Sequence, residues 1–228
     1  MKVYRYKLYK YVIIRGKGCG VLARVTSIEF QKKNKDRVNL YVDGTYLMSM
    51  YAEMVYKYNI SVNSEIDQER LTEIIKADDY EKAKNKALNY ISRVERSEKK
   101  VREKLQDEFD QEIIDMVMNF LKKYSFVDDG RFAGRIISNS MKFKRVGKNR
   151  IKQDLYMKGI DSAMIDKTLS DIDQDEELEN AIYLAEKRLA KIKSDDKNLL
   201  RTKLYQHLSY KGFAYDTINS AIRHVLDI

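Results

Sequence analysis

Two stretches of this chain repeat at a fixed offset of 53 residues: Ile151, Leu155, Lys158, Gly159, Ile160, Ile165 and Leu169 recur as Leu204, Leu208, Lys211, Gly212, Phe213, Ile218 and Ile222. Seven matched positions restrict the fold to architectures in which one supersecondary unit stacks on copies of itself. The spacing identifies the unit. Leu155 and Gly159 are four apart, as are Leu208 and Gly212, which suits a helix whose last core residue precedes a left-handed glycine stop. In such a stop the residue after the glycine folds back onto the one five before it. Ile160 over Leu155 and Phe213 over Leu208 supply those apolar pairs. The next helix then begins at once, its entry stapled by Ile160 with Ile165 and Phe213 with Ile218, and Asp161 caps it in the first copy.

A more degenerate copy lies upstream. Val101 and Leu105 correspond to Ile151 and Leu155, and Phe109, Ile114 and Met118 to Ile160, Ile165 and Leu169, with a one-residue slip between the two groups. No glycine occupies the run Leu105 to Phe109, so this corner must turn by other means, while Asp110 stands where Asp161 does as a cap. Each copy reads as a helix, a tight corner and a second helix.

Composition narrows the class. There is no proline anywhere in the 228 residues, which removes the commonest interruption of long helices. The single cysteine, Cys19, cannot form an internal disulfide and suits a reducing compartment. No run of about 18 apolar residues is present, so no membrane span is expected. The net charge of +9 is unevenly distributed: Lys2, Arg5, Lys7, Lys10, Arg15, Lys17 and Arg24 precede any acid, and the remainder carries 37 basic against 35 acidic residues. Bulk charge is therefore a weak argument for nucleic-acid binding.

Residues 1–24 read as a basic extension, either a basic arm or a poorly ordered stretch, with an apolar core (Val12, Ile13, Ile14) too short for a secretory signal. A small α+β domain follows over 25–80. Val25 to Phe30, Arg37 to Val42 and Tyr46 to Met50 have strand patterning, and Asp43-Gly44 is a two-residue hairpin signal. Helices over Ala52 to Tyr58 and Gln68 to Ile75 would cover the apolar face of these strands. The rest groups into three helical repeats, 81–126, 127–172 and 173–228, with helices expected over Glu81 to Arg93, Ser97 to Glu108, Asp110 to Tyr124, Asp128 to Lys144, Lys148 to Lys158, Asp161 to Ile172, Asp175 to Lys193, Asp196 to Lys211 and Asp216 to Leu226.

No pattern supplies an active site, a metal site or a cofactor site. His207 and His224 with one distant cysteine cannot make a four-ligand zinc site. Ser97-Glu98-Lys99-Lys100 matches a serine-x-x-lysine pattern without its companions, and a helix-capping serine explains it better. The acidic run Asp171, Asp173, Asp175, Glu177 lacks the glycine and terminal glutamate of a calcium loop, and reads as a solvated linker and helix start. Gly16 to Gly20 lacks the order of a phosphate loop.

Charge segregation is the exception. From Arg131 to Lys152 there are eight basic residues, Arg131, Arg135, Lys142, Lys144, Arg145, Lys148, Arg150 and Lys152, and no acid, whereas Asp161 to Glu179 holds eight acids and one lysine. On a helical wheel Phe132, Ala133, Ile136, Ile137 and Ser140 face one side, and Arg131, Arg135, Lys142 and Arg145 the other. Like charges without an acid repel one another, a cost that an anionic partner would relieve.

Several of these residues also carry a family likeness. Ala87-Leu88 with Arg93 and Arg96-Ser97-Glu98, Phe126-Val127-Asp128-Asp129 with Arg131-Phe132-Ala133, Lys158-Gly159-Ile160, and Lys211-Gly212-Phe213 with Tyr215-Asp216 resemble the RecX family, regulators of the bacterial recombinase RecA. The likeness runs from about Val25 to Leu226, and the β unit with Asp43-Gly44 is similar to that of members from low-GC Gram-positive bacteria. Two features depart from the pattern: the corner near Glu108 lacks its glycine, and residues 1–24 have no counterpart, as if the start codon were placed too far upstream.

The resemblance implies a mainly α fold of three tandem three-helix repeats in a curved array, preceded by the small β-hairpin/α domain. It implies a cytoplasmic, monomeric, non-enzymatic protein that binds in the groove of the RecA filament on DNA and limits recombinase, ATPase and co-protease activity. No cofactor, metal or membrane partner is implied, and single-stranded or double-stranded DNA is an expected partner. The eight basic residues of the second repeat are the contact candidates for RecA and DNA. The alternative is a nucleic-acid-binding protein that uses the same basic face independently of RecA.

Overall fold

A computed structural model describes residues 23–227. The expected basic extension, Cys19 and the glycine run at 16–20 lie outside the described residues, apart from Ala23 and Arg24.

The described chain divides into two compact units, one of residues 23–94 and 101–124, the other of 95–100 and 125–227. The first begins with β1 (Ala23–Phe30), β2 (Arg37–Val42) and β3 (Thr45–Tyr51), then α1 (Ala52–Lys57) and the two-residue β4 (Glu65–Ile66). The sheet is antiparallel in the order β3-β2-β1-β4. Asp43 and Gly44 both take positive φ (50° and 77°), which gives the β2–β3 turn the twist that antiparallel strands prefer. Strict alternation on β2 turns Val38, Leu40 and Val42 inward, where Met48, Met50 and Met54 meet them. The fourth strand was not expected: two residues are too few to show a period, and pairing with Ala23 and Arg24 defines them.

Two helices expected over Gln68 to Ile75 and Glu81 to Arg93 are one, the 26-residue α2 (Gln68–Arg93), capped by Asp67, whose carboxylate accepts the Arg70 amide at 2.7 Å. The expected domain boundary between 80 and 81 falls inside it. The expected helices leave 76–80 between them as a gap. Instead Asp78 is fully buried, accepts the Tyr51 amide at 2.9 Å, and pairs with Lys82 one turn on and with Arg37 at 3.8 Å. With its charges paired, the acid can sit in the helix interior. Leu71, Ile74 and Ile75 of α2 close the sheet core. Farther along, α2 packs on α4 (Gln111–Lys123), whose apolar face buries Ile113, Ile114, Val117, Met118 and Leu121.

Between them, α3 (Glu98–Leu105) ends at the corner without a glycine. There Phe109 donates its amide to Leu105 O at 3.1 Å, a single helical turn that requires no left-handed residue. Asp110 occupies the N-cap position of α4 with extended backbone, yet its side chain makes no capping hydrogen bond.

The second unit holds α5 (Asp129–Asn139), a π turn (Ser140–Lys144), α6 (Lys148–Met157), α7 (Ser162–Ser170), α8 (Gln174–Leu189), α9 (Lys197–Tyr210) and α10 (Tyr215–Leu226). Both glycine corners form as the spacing predicts. Gly159 and Gly212 have φ of +84° and +86°, Ile160 donates its amide to Leu155 O at 3.1 Å, and Phe213 to Leu208 O at 3.2 Å. These bonds satisfy carbonyls that a helix end leaves without partners. Asp161 caps α7 through the Ala163 amide at 2.9 Å. The helix expected from Asp128 to Lys144 is interrupted: after Asn139 the turns widen, and Arg145 is left-handed (φ 50°). No glycine or proline marks that change in the sequence.

Candidate partner-binding surface

Phe132, Ala133, Ile137 and Ser140 are buried, so α5 presents Arg131 and Arg135 outward as its wheel requires. Both guanidiniums gather on one carboxylate, that of Glu95: Arg135 pairs with it directly, and Arg131 Nε lies 3.9 Å away. Arg131 also donates to Ser125 O at 2.8 Å. The preceding residues are fixed to the same helix start, since Asp129 accepts the Glu98 amide at 2.8 Å.

The other six candidates diverge. Lys142 and Lys144 flank Phe143 on the π turn, and all three are exposed, Phe143 at 80%. Lys144 lies 3.9 Å from Asp154, while Arg150 reaches the same carboxylate at 3.6 Å from one turn away on α6. Arg145 stacks on Tyr183, its guanidinium carbon 3.8 Å from the ring centroid. Lys148 is turned inward: its ammonium donates to Ile172 O at 3.1 Å and lies 3.7 Å from Glu177. Lys152 donates to Asp166 at 2.6 Å.

The uncompensated stripe expected from the acid-free sequence is therefore not what the fold builds. Glu95, Asp154, Asp166 and Glu177 are brought to it in space. All four lie outside the run from Arg131 to Lys152 in sequence, Asp154 only two residues beyond its end. Lys142 alone of the eight makes no ion pair or aromatic stack among the described residues. These acids relieve the self-repulsion of the set as a whole, while Arg131, Arg135, Lys142, Lys144, Arg150 and Lys152 stay exposed together with Phe143. Phe143 was missed by charge counting, although its position between two lysines was visible in the sequence.

The remaining sequence motifs settle into structural roles. Ser97 Oγ accepts the Lys100 amide at 3.4 Å and donates to Lys158 O at 2.6 Å, so the serine-x-x-lysine match is a cap and a tie. Glu177, expected in a solvated acidic run, is 4% exposed and accepts the Lys148 amide at 2.8 Å. His207 is half-buried and His224 exposed. Among the described residues no helix is long and apolar enough to cross a membrane.

Family models cover nearly all of this architecture. The regulatory protein RecX N-terminal domain matches residues 23–67, and the first, second and third RecX three-helix domains match 83–121, 128–169 and 175–222. The chain belongs to the RecX family. The regulatory protein RecX of Clostridioides difficile is 46% identical over 203 residues, spanning 89% of this chain and 96% of the relative. That of Clostridium beijerinckii is 38% identical over 210 residues, 91% and 98% of the two chains. Among solved structures, a crystal structure of regulatory protein RecX aligns over 91% of this chain and all of its own, with a TM-score of 0.67 and 26% identity. RecX from Lactobacillus salivarius aligns over 67% of this chain and 99% of its own, with a TM-score of 0.63 and 31% identity. The corner without a glycine falls in the stretch matched by the first three-helix domain, whose model is separate from those of the second and third.

Proposed function

We propose that this protein is a non-enzymatic modulator of RecA that docks on the RecA–DNA filament in the cytoplasm and lowers its recombinase, ATPase and co-protease activity. The observation that carries this reading is the ordered match of an N-terminal domain and three three-helix domains along the chain, with relatives named regulatory proteins. Helical repeats present extended surfaces, which suit a filament better than a small-molecule pocket does. The exposed set Arg131, Arg135, Lys142, Phe143 and Lys144 supplies the contact, with cations for phosphate or acidic side chains and one ring for an apolar or stacked contact. Lys148, turned inward onto Ile172 O and Glu177, acts in the scaffold rather than at the interface.

The test is RecA ATPase on single-stranded DNA, titrated with the protein at two salt concentrations. The expected outcome is inhibition that weakens as salt rises, because exposed charge pairs are screened. An unchanged ATPase together with tight, salt-sensitive binding to naked DNA would favour the RecA-independent nucleic-acid binder instead.

A further inference from the structure

The second half of α2 carries a polar stripe for which the RecA reading has no use. Lys82, Asn85, Lys86, Asn89 and Arg93 recur at intervals of three and four residues or their sum, so they share one side of the helix. That side is a wall of an open cleft of about 740 Å³ within the first unit. The opposite walls are Tyr51 at the end of β3 and Lys104, Glu108 and Phe109 around the corner between α3 and α4.

Two of the cleft's cations are internally paired. Lys82 is bound by Asp78 and lies 3.1 Å from Asp79, and Lys86 lies 2.6 Å from Glu108. The other two, Arg93 and Lys104, are exposed and make no ion pair among the described residues. Cations also stand beside rings: Lys104 Nζ is 5.9 Å from the Tyr90 ring centroid, and Lys86 Nζ is 5.9 Å from that of Phe109. Asn85 and Asn89 are exposed between them, Asn85 also donating to the Tyr51 hydroxyl at 3.2 Å.

We propose that this cleft binds a single strand of DNA, with phosphates against Arg93 and Lys104 and a base against Tyr90 and Phe109. An acidic peptide would use the cations but leave the rings and amides idle. A nucleotide unit uses all three, because a base offers a π face for stacking and an edge that an asparagine amide can both donate to and accept from. The cleft is too open to enclose a mononucleotide, and the stripe from Lys82 to Arg93 runs on the order of 16 Å along the helix axis, which suits a continuous strand. This contact is separate from the surface on the second unit, and it does not depend on RecA.

Fluorescence anisotropy of a labelled oligothymidylate with the full-length protein, RecA being absent, tests the proposal apart from the ATPase measurement. Arg93→Glu with Lys104→Glu is expected to weaken binding about tenfold or more and to reduce the salt slope by about 0.7 for each phosphate that is no longer neutralised. Both side chains are exposed, so the melting temperature should hold. Tyr90→Leu is expected to weaken binding about tenfold while keeping the slope, as removal of a stacking ring requires. Unchanged affinity and slope in the double variant would overturn the proposal. So would displacement of the oligonucleotide by polyglutamate or thymidine monophosphate at comparable concentrations.

Discussion

Gly147 and Gly212 lie backbone to backbone: a Cβ on Gly147 would meet the Gly212 carbonyl oxygen at 2.4 Å. The Gly147 amide donates to Lys211 O and the Asn149 amide to Gly212 O, both at 3.0 Å. The corner ending α9 thus accepts hydrogen bonds from the start of α6. Fifty residues upstream of Gly147, Ser97 takes the equivalent place, and its hydroxyl donates to Lys158 O in the corner ending α6. Each glycine corner serves as the acceptor for the start of a helix in the repeat before it.

This docking ranks the glycines. A Cβ on Gly212 would meet the Arg150 backbone nitrogen at 2.4 Å, whereas one on Gly159 would meet only side-chain atoms, the nearest being Ser97 Oγ at 3.0 Å. Backbone cannot move aside as a serine hydroxyl can. Gly212→Ala and Gly147→Ala are expected to lower stability by about 3 kcal/mol, and Gly159→Ala by about 1–2 kcal/mol from its positive φ and a small shift of Ser97. Urea unfolding measures all three, and equal losses at Gly159 and Gly212 would show that φ alone, not docking, sets the cost.

Glu177 accepts the first amide of α6, that of Lys148, and its other oxygen faces the Lys148 ammonium. The amide is one of those a helix start leaves without a partner. Glu177→Ala would leave it buried beside an unpaired cation, at a cost of about 2–4 kcal/mol. Glu177→Gln keeps an acceptor for the amide and should cost roughly half as much. Equal losses in urea unfolding would mean that the ammonium contact carries the whole effect.

Local spacing disclosed the repeats, because a glycine stop has a fixed geometry that leaves the same mark each time. It also disclosed the β2–β3 turn at Asp43-Gly44. What stayed hidden depended on distant partners. Asp78 falls in the gap between two expected helices until Arg37 and the Tyr51 amide are seen around it. The basic run from Arg131 reads as unopposed until Glu95, Asp166 and Glu177 arrive from outside it; Asp154, one turn from Arg150 on the same helix, is within local reach. Wheel periodicity assigns a residue to a side of its own helix and carries no information about which acid another helix brings there.

Burial holds the His207 imidazole below its ordinary value, and Arg188, Lys211 and Lys191 add to the effect. In the unfolded chain the same imidazole takes a proton near its ordinary value of about 6.5. Between the lowered folded value and that point the unfolded chain binds more protons, so stability falls as pH falls below about 6.5. Above it both states are neutral and the contribution vanishes. Urea unfolding at about pH 7.5 and about pH 5.5 should show a smaller acid loss for His207→Gln than for the parent protein. An identical loss would place the acid sensitivity elsewhere.

Lys142 is the cleanest probe of the proposed RecA-facing surface, because it is exposed and makes no ion pair among the described residues. Arg135 is less suitable: reversing its charge would set a second carboxylate beside Glu95, which is only 19% exposed. Lys142→Glu is expected to leave the urea midpoint unchanged and to weaken inhibition of the RecA ATPase about threefold to tenfold at low salt, with the difference shrinking as salt screens it. Phe143→Ala, beside it on the π turn, should weaken inhibition at every salt concentration, since an apolar or stacking contribution is not screened. Inhibition curves that match the parent protein for both variants would move the interface off the π turn, and leave the docking surface to be sought on the other exposed faces of the repeats.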